Sequence, residues 1–458
     1  MAQRSALKSR QTNNLLEDPE AACLYRLTMP MIIGIVAIMA FNLVDAFYIG
    51  MLGAKPLAAM AFTVPITAAV FALNLGFSSG TSAVLARLFG RGDRPVARRI
   101  LTHTIILAIL LLGAVSVLGL VMMESIFRAM GADEQLLPLI QEYMSVWLMG
   151  IMVLVVPMVS NGALRASGDT KSPSFIMSVS ALINGVLDPL LIFGLGPFPE
   201  LGMKGAALSS VLAWGFSCTA ALTILIRREN LIEFVLPTVN KLLDSWRQVL
   251  QIAMPAALNN LMAPIAMMII IALVAQFGEA AVAATGVGAR LEPMLMLVVM
   301  SLTAGVGVMV GQNHGAGKLQ RVRRAVQLGF RFAFIWQLGV AIVLILFSSA
   351  FAGIFTDEAE VAEVLKRYLW IQPISFGFLG VSMLSISILN ALHQPSVAIL
   401  ISLLRLFGLT VPFAYTGALF VGVEGVYMGA ALANIIIGVF SYFLIKDRLN
   451  KLEQLESG

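Results

Sequence analysis

The chain has 458 residues, 59% of them hydrophobic and only 12% charged, with a mean hydropathy of +0.91, whereas soluble domains are about a quarter charged. That balance excludes a soluble enzyme or binding module and identifies a polytopic membrane protein. The formal charge of +5 does not indicate nucleic acid, because the basic residues stand in short runs between apolar spans, where the positive-inside rule accounts for them.

Residues 1-26 are polar and contain no apolar run of the kind a cleavable signal needs, so they read as a cytoplasmic N-terminal segment. Apolar runs long enough to cross a bilayer follow at 27-49, 57-86, 100-122, 138-164, 174-196 and 205-226, then at 249-275, 281-311, 325-351, 368-392, 397-420 and 425-445. The expected fold is therefore all-α, with twelve transmembrane helices. Gly and Pro mark the joints, among them Gly50, Gly53 and Pro56, Gly90 and Gly92, Gly168 and Pro173, Gly278, and Gly315 and Gly317. One set of loops carries Arg91, Arg94, Arg98, Arg99, Arg165, Lys171, Lys318, Arg321, Arg323 and Arg324, while the opposite set is acidic at Glu124, Asp133, Glu134, Asp357, Glu358 and Glu360. Both termini are thus expected in the cytoplasm of an inner-membrane protein. Cys23 and Cys218 give no disulfide framework, and His103, His314 and His393 are isolated, so neither residue type suggests a metal or catalytic centre.

A shift of 225 residues lays Pro30 on Pro255, Gly53 on Gly278, Gly90 on Gly315, Gly92 on Gly317, Arg98 and Arg99 on Arg323 and Arg324, and Tyr143 on Tyr368. With small gaps the match continues, with Pro189 and Gly194 against Pro412 and Gly417, then Gly202 and Gly205 against Gly422 and Gly425. Each half holds an even number of spans, so the repeat is parallel, about an axis along the membrane normal. The boundaries follow: an N-terminal lobe at 27-226, a cytoplasmic linker at 227-248, a C-terminal lobe at 249-445, and a cytoplasmic tail at 446-458.

Acids break the repeat. Asp45 stands opposite Ile270, and Asp188, in the sequence NGVLDP, stands opposite Val411. An ionised Asp in hydrocarbon costs about 2.5 to 3.5 kcal/mol on insertion scales, so each marks a candidate site. Both lie towards the outer ends of their spans, where they can face one another. Asn184 is one helical turn before Asp188 and presents its amide on the same face. Two neighbouring carboxyls in low dielectric can share a proton, or can bind Na+ with Asn184 and carbonyl oxygens. The competing reading is that each Asp only bonds a neighbouring helix.

In the eighth span, GARLEP puts Arg290 deep in the membrane, and it reads as the only deep basic residue. Arg290 and Glu292 are two apart and poorly placed to pair. Arg290 is either an interfacial anchor or a cavity counter-ion to the acids. Methionines including Met29, Met31, Met177, Met262, Met267, Met268, Met294 and Met300 cluster in spans one, five, seven and eight. Such flexible, polarizable side chains suit a cavity that accepts several ligand shapes.

VDAFYIGMLG after the first proline, GFSSGTSAVLARLFGRGD across the second span, the paired Asp45 and Asp188, and the six-plus-six repeat together resemble the multidrug and toxic compound extrusion (MATE) transporters, in their DinF-like branch. The resemblance covers about residues 20-450. It implies a V-shaped pair of six-helix lobes and efflux of lipophilic organic cations by antiport with H+ or Na+, with no cofactor and no enzymatic activity; we expect a monomer. It carries Asp45, Asn184 and Asp188 over as the coupling-ion site, with Ser210 beside them and Na+ as the alternative occupant. Tyr143, Met177 and Arg290 are carried over as cavity residues, and Pro30 as the point where helix 1 bends. Ile38 stands where some relatives have a glutamine, and Ile270 gives no acid in helix 7. A lipid-precursor flippase would need several cavity arginines, and a prenyl transferase would need a DDxxD-like run, which the sequence lacks.

Overall fold

The structure is a computed structural model that describes residues 14–235 and 238–457. Half of the expected N-terminal segment, two residues of the expected linker and the last residue of the expected tail therefore lie outside it. Twelve helices among the described residues are long and apolar enough to span a membrane: α1 Glu20–Met51, α2 Ala54–Gly90, α3 Arg94–Ala129, α4 Leu137–Ala166, α5 Lys171–Ile192, α6 Gly202–Arg228, α7 Val239–Phe277, α8 Glu279–Gly315, α9 Leu319–Leu346, α10 Ala359–Ala391, α11 Pro395–Val421 and α12 Val423–Gln454. Each expected run falls on one of these, and no strand occurs among the described residues.

The departures are at ends. The fifth run stops at Ile192 because Gly194 and Gly196 take φ of +66° and +71°, which the helix cannot continue through. The ninth stops at Leu346 and restarts as a short helix, Ser348–Phe355. Nearly half of the expected linker is helical, because α7 begins at Val239. The start of α3 shows local sequence at work. Gly92, at φ +77°, turns the chain, and the Asp93 carboxylate then caps the helix by accepting from the Val96 N–H at 3.4 Å.

The chain divides into two compact units, one of Met29–Ala257 and the other of Leu258–Gly458 with the described part of Met1–Thr28. The division cuts α1 just before Pro30 and α7 just after Pro255, the two prolines that the repeat superposes. In the first unit the N-terminal part of α7 packs on α2 at glycines: a Cβ on Gly80 would lie 2.9 Å from Ala253 Cβ. In the second unit the start of α1 does the same, since a Cβ on Gly305 would lie 3.1 Å from Thr28 Oγ1. Gly80 and Ala253 shifted by one repeat are Gly305 and Thr28, so the same packing is made twice. His103, 4% exposed, holds the α7 start in place through Ser245 Oγ at 2.9 Å, while its carbonyl accepts from Trp246 Nε1 at 2.8 Å. In the second unit, the chain entering α1 is strapped down by α8, α9 and the turn between them: Asn313 Nδ2 donates to Leu15 O at 3.1 Å, Lys318 Nζ to Leu16 O at 3.0 Å, and Arg321 pairs with Glu20 at 3.4 Å.

Between α4 and α5, Asp169 Oδ1 accepts from the Ser172 N–H at 3.0 Å, and its carboxylate pairs with Arg228. Burial pushes this carboxyl up, but the hydrogen bonds from Ser172 and the Arg228 guanidinium outweigh it and hold it below the ordinary Asp range. A depressed carboxyl stabilises the fold above its unfolded value of about 3.9 and loses that stabilisation as pH falls through the folded value. Asp169→Ala should cost about 1 kcal/mol at neutral pH, the scale of a lost helix cap. The difference in melting temperature between variant and parent should close below about pH 4; a pH-independent difference would show that the charge is irrelevant.

Candidate functional site

The site lies within the unit Met29–Ala257. Helices α1 and α5 are held together at two levels. Near their N-terminal ends, Gly34 lies against Ser174, where a Cβ would stand 3.1 Å from the Ser174 Cα. The Met177 Cε is 3.4 Å from the same point, so this side chain packs on α1. Towards the other end the rings of Tyr48 and Phe193 meet edge to face at 6.2 Å. Asp45 is three residues before Tyr48 and Asp188 five before Phe193, so this one ring contact lies close to both carboxylates along their helices.

Asp188 is fully buried. Its Oδ1 accepts from Asn184 Nδ2 at 3.0 Å and from Ser209 Oγ on α6. Asn184 Nδ2 also reaches Ser209 Oγ at 2.9 Å, and Ser210 Oγ donates weakly to Asn184 Oδ1 at 3.5 Å. The other oxygen, Asp188 Oδ2, has no solvent-exposed area and no hydrogen-bond partner, and neither has Asp45 Oδ1. The charges of Asp45 and Asp188 lie within Coulombic range of each other, and Tyr143 on α4, 4% exposed, lies within range of both. Asp45, Asn184, Asp188, Tyr143 and Ser210 are thus brought to one place.

Pro30 sits inside a continuous α1, well away from the acids along the helix. Arg290 belongs to the other unit, is exposed on α8, and makes no ion pair among the described residues. It is not the only deep basic residue, as the sequence reading had it. Arg405 stands inside α11, embedded in an apolar run that hid it, and it rather than Arg290 is the electrostatic partner of Glu292. The sequence also missed Ser209. Ser209 and Ser210 are adjacent hydroxyls, and only the rotation of α6 against α5 selects the one that reaches Asp188.

The geometry is that of a buried oxygen-rich site with two carboxylates, one amide and one close hydroxyl, in which two carboxylate oxygens are left without donors. Such a site can hold a proton or a hard cation. The family model for MatE matches residues 30–190 and again 255–416, beginning on Pro30 and Pro255. The FAD transporter of Shewanella oneidensis is 37% identical over 435 residues, which cover 95% of this chain and 96% of that protein. The Bacillus subtilis protein named "Probable multidrug resistance protein YpnP" is 27% identical over 412 residues, 89% of this chain and 90% of its own length. The crystal structure of the Vibrio cholerae MATE transporter VcmN in the bent form superposes with a TM-score of 0.90 at 31% identity, covering 95% of this chain and 98% of that one. A family match that takes in both halves of the repeat, on a fold of twelve spans, leads to one conclusion: the chain belongs to the MATE family, whose members are membrane transporters and not enzymes.

Proposed function

We propose that this protein is an exporter of lipophilic organic cations, driven by antiport with H+ through Asp45 and Asp188. The observation that carries the reading is the pair of buried carboxylate oxygens, Asp45 Oδ1 and Asp188 Oδ2, without donors. A buried ionised oxygen without a partner is costly, and a proton removes the charge that makes it so. The hydroxyl of Ser209 supports the same reading. It has one hydrogen and two acceptors, Ala206 O at 2.8 Å and Asp188 Oδ1. If Asp188 carries a proton on Oδ1, the carboxyl donates to Ser209 and the hydroxyl is free for the Ala206 carbonyl. Asn184 tunes the pair by donating to its ionised form. Tyr143 and Met177 serve as cargo contacts, and Pro30 as the point where α1 bends. The carrier acts as a monomer in the inner membrane, both termini in the cytoplasm. One pH unit supplies about 1.4 kcal/mol and the membrane potential ~2.3 kcal/mol per charge per 100 mV, so either covers a tenfold gradient of a neutral cargo.

A second cargo is favoured by a specific observation. The relative at 37% identity is an FAD transporter, whereas the multidrug relative reported above is 27% identical. A flavin dinucleotide exported through the same coupling site is therefore the alternative.

The deciding experiment uses the purified protein in vesicles with an imposed pH gradient, with and without Na+, and ethidium or FAD as cargo. The expected result is ethidium movement that follows the pH gradient and does not need Na+. Movement that follows Na+ and ignores pH would replace H+ by Na+ at Asp45, Asn184 and Asp188. FAD movement with no ethidium movement would replace the cargo.

A further inference from the structure

The second unit carries charges of its own inside its spans. On α8, Thr285, Gly288 and Glu292 recur at helical spacing and share one face. Thr285 Oγ1 meets Tyr427 OH at 2.7 Å, and Tyr427 meets the Tyr368 ring edge to face at 5.1 Å. Tyr368 lies directly on Gly288, where a Cβ would stand 2.5 Å from its ring. The stripe therefore points into the unit, and Glu292 continues it one turn deeper, within Coulombic range of Tyr368. Tyr368 is the repeat counterpart of Tyr143, which stands in the same relation to Asp45 and Asp188.

Arg405 meets Glu292 from the other side. A Cβ on Gly422 would stand 3.8 Å from the Phe277 ring, which puts the start of α8 and the end of α11 at one end of the unit. Ala281 of α8 and Ala414 and Ala418 of α11 share one buried cluster there. From that end Glu292 is about 20 Å along α8 and Arg405 about 24 Å along α11, at ~1.5 Å per residue. The two charges are therefore at one depth. They feel each other, yet no carboxylate oxygen among the described residues comes within 4.0 Å of the Arg405 guanidinium, and its Nε is buried without a partner. Arg405 is also the second residue of the π-helical stretch Leu404–Thr410, a departure from α-geometry that occurs often at functional sites.

A structural ion pair in the membrane is stable when its hydrogen bonds are made. Here they are not. We propose that Glu292 and Arg405 form a cargo-charge site in the C-terminal unit, in which Arg405 takes an anionic group of the transported molecule, a phosphate or carboxylate, and Glu292, beyond salt-bridge reach, is the counter-charge that leaves the Arg405 donors open to it. The planar guanidinium can give such a group the forked hydrogen bonds that it does not give Glu292. The proposal rests on the export reading and deepens its second cargo, the flavin dinucleotide, by assigning the residue that takes an anionic group. Arg290, two residues from Glu292, is off this stripe and is not required.

The test is binding to the purified full chain of three probes: FAD, riboflavin as the same ring system without phosphates, and ethidium. Arg405→Gln should weaken FAD by about tenfold or more, the scale of one charge-assisted hydrogen bond, and leave riboflavin and ethidium unchanged. Glu292→Gln should tighten FAD, because the carboxylate that repels its phosphates is gone. The Arg405→Gln/Glu292→Gln double variant leaves no unpaired charge and should behave like Arg405→Gln, which guards against misfolding of the single variant. Unchanged FAD binding in Arg405→Gln would overturn the proposal, as would equal loss of all three probes in the double variant. Parent protein that binds ethidium but not FAD would also overturn it, while ethidium transport under a pH gradient would still stand and leave the export reading intact.

Discussion

Asp45→Asn should insert and fold like the parent, yet fail to move a cationic dye against its gradient in vesicles with an imposed pH difference. Asparagine keeps the size of the side chain and can still bond a neighbouring helix, but it cannot take up and release a proton, so the link between gradient and transport is cut. The expected loss is the whole of the gradient-driven component, with downhill leak unaffected. Folding should not suffer, because Asp45 Oδ1 has no hydrogen-bond partner to lose. Asp188→Asn should lose coupling in the same sense, but with some cost in stability, because Asp188 accepts from Asn184 and Ser209. The double variant should be little worse than either single one, since groups that act as a unit are not additive. Dye efflux at the parental rate by correctly inserted Asp45→Asn would reduce this Asp to a helix-packing residue.

Gly425→Ala should be among the most destabilising single-atom additions in the chain. A Cβ on Gly425 would overlap the Gly417 carbonyl, and a Cβ on Gly417 would overlap the Gly425 carbonyl, so α11 and α12 cross backbone to backbone. Small residues drive such crossings in lipid, where no hydrophobic force holds helices together. The obstacle is backbone, which cannot swing aside like a side chain, so the cost should reach about 3 kcal/mol or more, the upper end for overpacking. A large fall in melting temperature of the detergent-purified protein would register it. Gly286→Ala is the control, because a Cβ there meets nothing within 4 Å. Equal melting temperatures for the two variants would show that the crossing tolerates separation.

Sequence alone determined the membrane class, the twelve spans and the parallel repeat, because an apolar run of span length and a shifted match of Pro and Gly are properties of the chain itself. It also matched Gly205 with Gly425 in the repeat, but that each abuts a backbone carbonyl came only from the packed structure. Gly205 proves to abut the Leu191 carbonyl as Gly425 abuts Gly417. It picked out Asp45, Asn184 and Asp188 because a carboxylate in hydrocarbon needs a reason, and because residues one turn apart share a helix face. What it could not fix was rotation and cross-helix pairing. Whether Ser209 or Ser210 reaches Asp188 depends on how α6 turns against α5, and whether Glu292 finds Arg290 or Arg405 depends on two helices more than a hundred residues apart in sequence. Those choices belong to the packed tertiary structure, where a turn of a helix by one residue exchanges a buried ligand for a bystander.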